Sequence, residues 1–289
     1  MNTYVIITDA SVDLIPEELA LDFVDVLPME ILWGMEAWSY SPRDKDFSYG
    51  AFYERFSQTT DCLPSTTMIQ SNRYIDGFKK YLDQGLDFIY LSLSSGMSGT
   101  YYQALQAVES LKKDYPDRKM YALDSLQAST PLGQLLSLAI ANRQAGMSLE
   151  DNVKNLEEWK YRVVSIALPE DLFHLHRGGR LSKSSAILGS ALRIKPVLEI
   201  NKQGSMALKG KERGDRRLIR LVKEAFKAQG QEGASVYISH GNNLERAEAF
   251  KKAFEEVGAS PVHLLPLTPI VGCHLGSGAL AIGFIERQA

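Results

Sequence analysis

Apolar positions along this chain fall into two alternating rhythms. Short runs rich in β-branched and aromatic residues predict strands: YVIIT (residues 4–8), VDVLPMEILW (24–33), FIYLSL (88–93), MYALD (120–124), YRVVSIAL (161–168), SVYISH (235–240) and VHLLPL (262–267). Between them, apolar residues spaced by three and four predict helices in 49–57, 72–85, 101–113, 133–146, 148–159, 217–230 and 245–258, and IPEELALDF (15–23) carries the Pro and early acids of a helix start. Gly85 and Gly146 serve as stops, and Ser148 with Asp151 three residues on forms a capping-box pattern. IKPVLEINKQGSMALKGKERG reads as two strands around a turn at 202–204. Strands alternating with helices imply a largely parallel sheet covered by helices on its faces.

A length of 289 residues exceeds what one hydrophobic core usually organises, so two domains are expected, 1–160 and 161–289, the character of the sequence changing near residue 160. The 45% hydrophobic content supports real cores. A net charge of −3 and a pI near 6.0 argue against a nucleic-acid or anionic-membrane binder. Cys62 and Cys273 form no pair of metal-ligand spacing, and the opening MNTYVIITDA lacks the marks of a signal peptide. No apolar run approaches the roughly 18 residues of a membrane span. These features fit a soluble, cytoplasmic protein without stable membrane insertion.

The stretch LSSGMSGTY (93–101) concentrates hydroxyls between a predicted strand and a predicted helix, where open α/β sheets bind ligands. Amides at the helix start and the hydroxyls of Ser95, Ser98 and Thr100 suit a carboxylate or phosphate, and Gly96 and Gly99 allow close approach of the backbone. Simple helix capping by Ser98 or Thr100 accounts for the same residues. A nucleophilic elbow requires Gly-x-Ser-x-Gly, and GMSGT places Thr100 at the second glycine; a serine hydrolase or acyltransferase using Ser98 would further need His240 or His274 as base.

CLPSTTMIQSN (62–72) is a second hydroxyl cluster before a predicted helix, in which Thr66 and Thr67 can aim donors at a shared pocket or belong to a polar loop. LHRGGRLSK sets Arg177, Arg180 and Lys183 around two glycines, suited to an anion or to solvent. GSGALA (276–281) matches a dinucleotide fingerprint formally, without the following helix and acid. His174 and His176 lack further ligands at metal-site spacing, so no metal and no cofactor is expected.

Taken together, these segments resemble the DegV family. YVIITDASVDL resembles its opening strand and Asp-Ser-x-x-Asp-Leu loop, and LSSGMSGTY its Ser-x-Leu-Ser-Gly-Thr-Tyr segment. HRGGRLSKSSAILGSALRIKPVLEI resembles its Gly-Gly-Arg-Ile-Ser and Ile-Lys-Pro stretch, and VGCHLGSGALAIGF its closing His-x-Gly-Pro-Gly-Ala segment. The resemblance implies an α/β fold: an N-terminal three-layer α/β/α domain with a mainly parallel sheet, and a C-terminal α/β domain with a mixed sheet. It implies a non-catalytic protein that binds a long-chain fatty acid, carboxylate on hydroxyls and acyl chain buried, and presents it to a fatty acid kinase subunit. Thr66 and Ser98 match the carboxylate contacts, with His274 and Arg180 near the head group and Ser95 and Gly99 in the same loop. Departures from the family pattern are Ala10 for the loop serine, Ser277 for the closing proline, and Met68-Ile69-Gln70 after the two threonines.

Overall fold

The computed structural model describes residues 4–181 and 194–287. Three sheets result. Four parallel strands lie in the order β2 (Val24–Leu27), β1 (Tyr4–Asp9), β6 (Asp87–Ser92), β7 (Met120–Asp124). β1 is buried along its whole length and β6 nearly so, which explains why both read as unbroken apolar runs. Helices α3 (Ser71–Leu82) and α4 (Thr100–Leu111) pack together on one face; α5 (Ser129–Gln144) and α6 (Leu149–Trp159) cover the other. The chain thus has the three-layer arrangement expected at its N-terminal end. At α6 the predicted cap forms: Ser148 Oγ accepts from the Asp151 amide at 3.1 Å.

The second sheet is mixed and six-stranded: β10 (Met206–Arg213), β9 (Ile194–Ile200), β8 (Val163–Leu168), β13 (Leu280–Ile285), β11 (Val236–His240), β12 (Val262–Pro266). Only β11 and β12 run parallel; the other neighbours are antiparallel. α8 (Asp215–Gln229) and α9 (Leu244–Glu255) close one side through Leu218, Val222, Phe226, Phe250 and Phe254. α5 touches β8, β11 and β13 as well as β1, so this nearly all-round apolar helix is buried between two sheets.

Three expectations change. Residues 24–33 are not one strand region: Pro28, lacking an N–H, separates β2 from β3 (Met29–Trp33), which turns away into a small antiparallel sheet with β4 (Glu36–Tyr40) and β5 (Ser65–Thr67). The segment 62–72 is therefore not all loop, because Thr66 pairs with Ile31 across that sheet. Helix α1 (Pro16–Leu19) is a single turn. In addition, residues 269–275 form a helix, α10 (Pro269–Leu275), so the glycines of GSGALA lead out of a helix into β13, the reverse of a dinucleotide turn. Lys183 lies outside the described residues. No helix among the described residues is long and apolar enough to cross a membrane.

Candidate functional site

The parallel sheet delivers three loops to one edge, and buried polar side chains stitch them together. Asp9, at the end of β1, accepts from the Leu93 amide and the Tyr90 hydroxyl, each at 2.8 Å, and from Ser11. Burial raises its pKa despite these donors. Ser94 donates its amide to Gln127 O, and Ser95 its amide to Asp124 Oδ1 at 3.1 Å. The hydroxyl loop 93–99 is thus held on both sides before it meets any ligand.

Around this edge lies a cavity of about 60 Å³ that opens to solvent. Thr66, Ser98, Arg180 and His274 all line it, drawn from β5, the β6–α4 loop, the turn after α7 (Phe173–Arg177), and α10. Thr67 lines it too; Ser95 and Gly99 do not. Most of the remaining wall is apolar, including Leu93, Leu175, Ile270 and Leu275.

Thr66 Oγ1 and His274 Nε2 are 3.0 Å apart. The other ring nitrogen, Nδ1, is enclosed and has no partner among the described residues. Burial, reinforced by Arg180 and Arg177, lowers the His274 pKa to about 4, so the ring is neutral at physiological pH. A proton on Nδ1 would be a buried donor with no acceptor. The less costly tautomer carries it on Nε2 and donates to Thr66. The Thr66 hydroxyl then keeps its own proton for a group in the cavity. Ser98 behaves similarly: its Oγ lies 2.9 Å from Thr100 Oγ1 and accepts from the Thr100 amide at 3.3 Å. One hydroxyl proton of that pair remains to be donated.

The Gly-Gly pair has a local reason. α7 ends at Gly178, and Gly179 takes the left-handed conformation (φ 70°) that turns Arg180 back toward the site. A Cβ on Gly178 would stand 2.6 Å from His274 Nδ1, so the glycine makes room for the ring. Arg180 donates to Met97 O at 3.1 Å and to Gly178 O, and Arg177 donates to Pro64 O at 2.7 Å. Among the described residues, neither arginine is paired with a carboxylate. The site therefore combines uncompensated positive charge, two hydroxyl donors and a neutral imidazole beside an apolar cavity, an arrangement suited to the anionic head of an amphipathic molecule.

Other predicted features take different roles. Gly96 has a packing reason: a Cβ there would meet Gln203 O and Gly204 O at 2.6–2.7 Å, because the β9–β10 turn seats against the loop. Gly99 lies against the Met68 sulfur, at 2.9 Å from a would-be Cβ. Neither His240 nor His274 hydrogen-bonds Ser98; His240 Nδ1 accepts from the Asn243 amide. Burial pushes the Cys273 thiol up to about 12. The described residues contain no group of three or more His, Cys, Asp or Glu that could hold a metal. The sequence reading overlooked the methionines of the wall, Met29, Met68, Met97 and Met206, because isolated apolar residues from distant segments carry no shared local pattern.

Fold and site together define a three-sheet α/β protein with a largely apolar cavity fronted by hydroxyl, imidazole and guanidinium groups. The chain belongs to the DegV family: residues 3–287 match the family described as "Uncharacterised protein, DegV family". DegV domain-containing protein YteA of Lactococcus lactis is 30% identical over 292 residues, spanning 99% of each chain. Among solved structures, a stearic acid-binding protein from Eubacterium ventriosum superposes with a TM-score of 0.86 at 22% identity, over 98% of each chain. The Streptococcus pneumoniae Fatty Acid Kinase (Fak) B3 protein loaded with linoleic acid gives a TM-score of 0.86 at 19% identity, covering 99% of this chain and 100% of that one. These likenesses establish the fold.

Proposed function

We propose that this protein binds a long-chain fatty acid without transforming it and presents the head group to a fatty acid kinase subunit. One observation carries the reading: Thr66, Ser98, Arg180 and His274, from four separate segments, meet at the apolar cavity. In this reading Thr66 and Ser98 donate to the carboxylate, His274 fixes the Thr66 hydroxyl, and Arg180 supplies charge. Ser95 and Gly99 serve the shape of the loop. The fatty acids named for the solved relatives support the ligand class, and the S. pneumoniae protein supports a kinase partner. A Ser98 without a histidine base supports binding over hydrolysis. A cytoplasmic location fits such a partner. The change of sheet between β7 and β8 supports two domains, 1–160 and 161–289.

Burying a dozen methylenes contributes on the order of 10 kcal/mol before association costs, and each hydrogen bond to the carboxylate adds about 1.5–3 kcal/mol. Solvent extraction of the purified protein followed by mass spectrometry tests the reading. Reproducible absence of fatty acid, with no uptake of added acid by the stripped protein, overturns it. Covalent labelling by a fluorophosphonate, abolished by Ser98→Ala, would instead establish the hydrolase.

A further inference from the structure

Four of the chain's eight methionines line the cavity, and they arrive from separate places: Met29 opens β3, Met68 follows β5, Met97 lies in the β6–α4 loop, and Met206 opens β10. The α10 part of the wall is different, with β-branched Ile270 and Val271 on a helix. β-Branched side chains on a helix are confined to few rotamers, whereas methionine has three rotatable side-chain bonds and a polarisable sulfur that fills irregular space. Met68 is the most exposed of the four and Met29 the most buried. Met68 is 42% exposed with its sulfur against Gly99, while Met97 is half-buried, its amide donating to Ser94 O and its carbonyl accepting from Arg180. One portion of the wall is stiff, and another can re-pack around whatever enters.

We propose that the methionine set makes the cavity indifferent to acyl-chain shape, so that straight saturated chains and cis-kinked chains of equal length bind alike and selection rests on the carboxylate. This inference rests on the fatty-acid reading above. Binding surfaces rich in methionine are tolerant of partner shape because the side chains re-pack, and four such residues from four segments can do so independently.

The test is competitive displacement of a fluorescent fatty acid from the stripped protein by stearic and oleic acids, which share chain length and differ by one cis double bond. The wild type is expected to bind the two within about threefold of each other. Methyl resonances of Met29, Met68, Met97 and Met206 should shift between the two complexes, while those of Ile270 and Val271 stay in place. The variant Met29→Leu/Met206→Leu preserves volume but adds branching, and should separate the two affinities by at least about fivefold. A wild-type preference above about tenfold, or methionine methyls with the same shifts in both complexes, overturns the proposal. Failure to bind either acid removes the fatty-acid reading itself, whereas tight binding of only one removes this inference and leaves that reading standing.

Discussion

Gly178→Ala separates the positioning of His274 from the stability of the fold. Gly178 has φ −72° and ψ −10°, which alanine adopts without strain, so backbone conformation does not oppose the change. The added methyl would lie 2.6 Å from His274 Nδ1, whereas ordinary contact begins near 3.4 Å; ring or turn must yield by about 0.8 Å. The Thr66–His274 separation is 3.0 Å, and a shift of that size away from Thr66 would carry the pair beyond hydrogen-bond range. Thr66 is then free to point its proton elsewhere. Losing one oriented donor to a carboxylate corresponds to about 1.5–3 kcal/mol, or roughly 10- to 150-fold in Kd. Stability should fall by less, because overpacking at about 1–3 kcal/mol is partly offset by the better helical propensity of alanine, up to about 1 kcal/mol. The assay is displacement of a fluorescent fatty acid from stripped protein, with thermal unfolding in parallel. Combining Gly178→Ala with Thr66→Val should be less than additive, since both act through one hydrogen bond. Binding within about twofold of wild type, with unshifted His274 ring resonances, would refute the argument.

Thr66→Val alone should weaken carboxylate binding by about 10-fold or more while leaving the affinity for the corresponding fatty alcohol less affected, as isothermal titration would show. Asp13 is buried, accepts from the Thr268 amide at 2.7 Å and from Ser129, and burial raises its pKa to about 6. Because the folded-state pKa lies above the unfolded one, the stability it contributes is present below about pH 4 and lost as pH rises through about 6, a loss of roughly 3 kcal/mol. Asp13→Asn should remove that descent from urea-unfolding data collected between pH 4 and 7; an unchanged difference between the two pH values contradicts the assignment. Tyr53 donates to Leu267 O at 2.9 Å and passes over Gly272 of α10, where a Cβ would fall 2.0 Å from its hydroxyl. Gly272→Ala should therefore cost about 1–3 kcal/mol and also weaken ligand binding by displacing His274, whereas Tyr53→Phe should cost about 1–3 kcal/mol for the orphaned carbonyl. Equal unfolding midpoints for wild type and Gly272→Ala would dismiss the contact.

Local pattern was sufficient for much of this protein. Strands β1, β6, β8 and β11, helices α3 to α6, and the Ser148 cap follow from apolar period and terminus chemistry, which act over a few neighbours. The hydroxyls of 93–101 and of Thr66, and the two arginines flanking Gly178 and Gly179, were also visible as residues capable of holding an anion. Their meeting was not. Thr66 and His274 are 208 positions apart, and only the pairing of β5 with β3 and the packing of α10 against both bring them within 3.0 Å. The break at Pro28, which sends β3 into its own sheet, creates the surface on which Thr66 stands. Glycine roles divide in the same way: Gly179 follows from its own dihedral, whereas Gly96, Gly178 and Gly272 are explained by what presses against them from elsewhere. A residue's conformational preference is written in its neighbours along the chain. Which of its atoms are buried, which donors are left free and which methionines share a wall depend on long-range packing, and for that reason the cavity belonged to the tertiary structure alone.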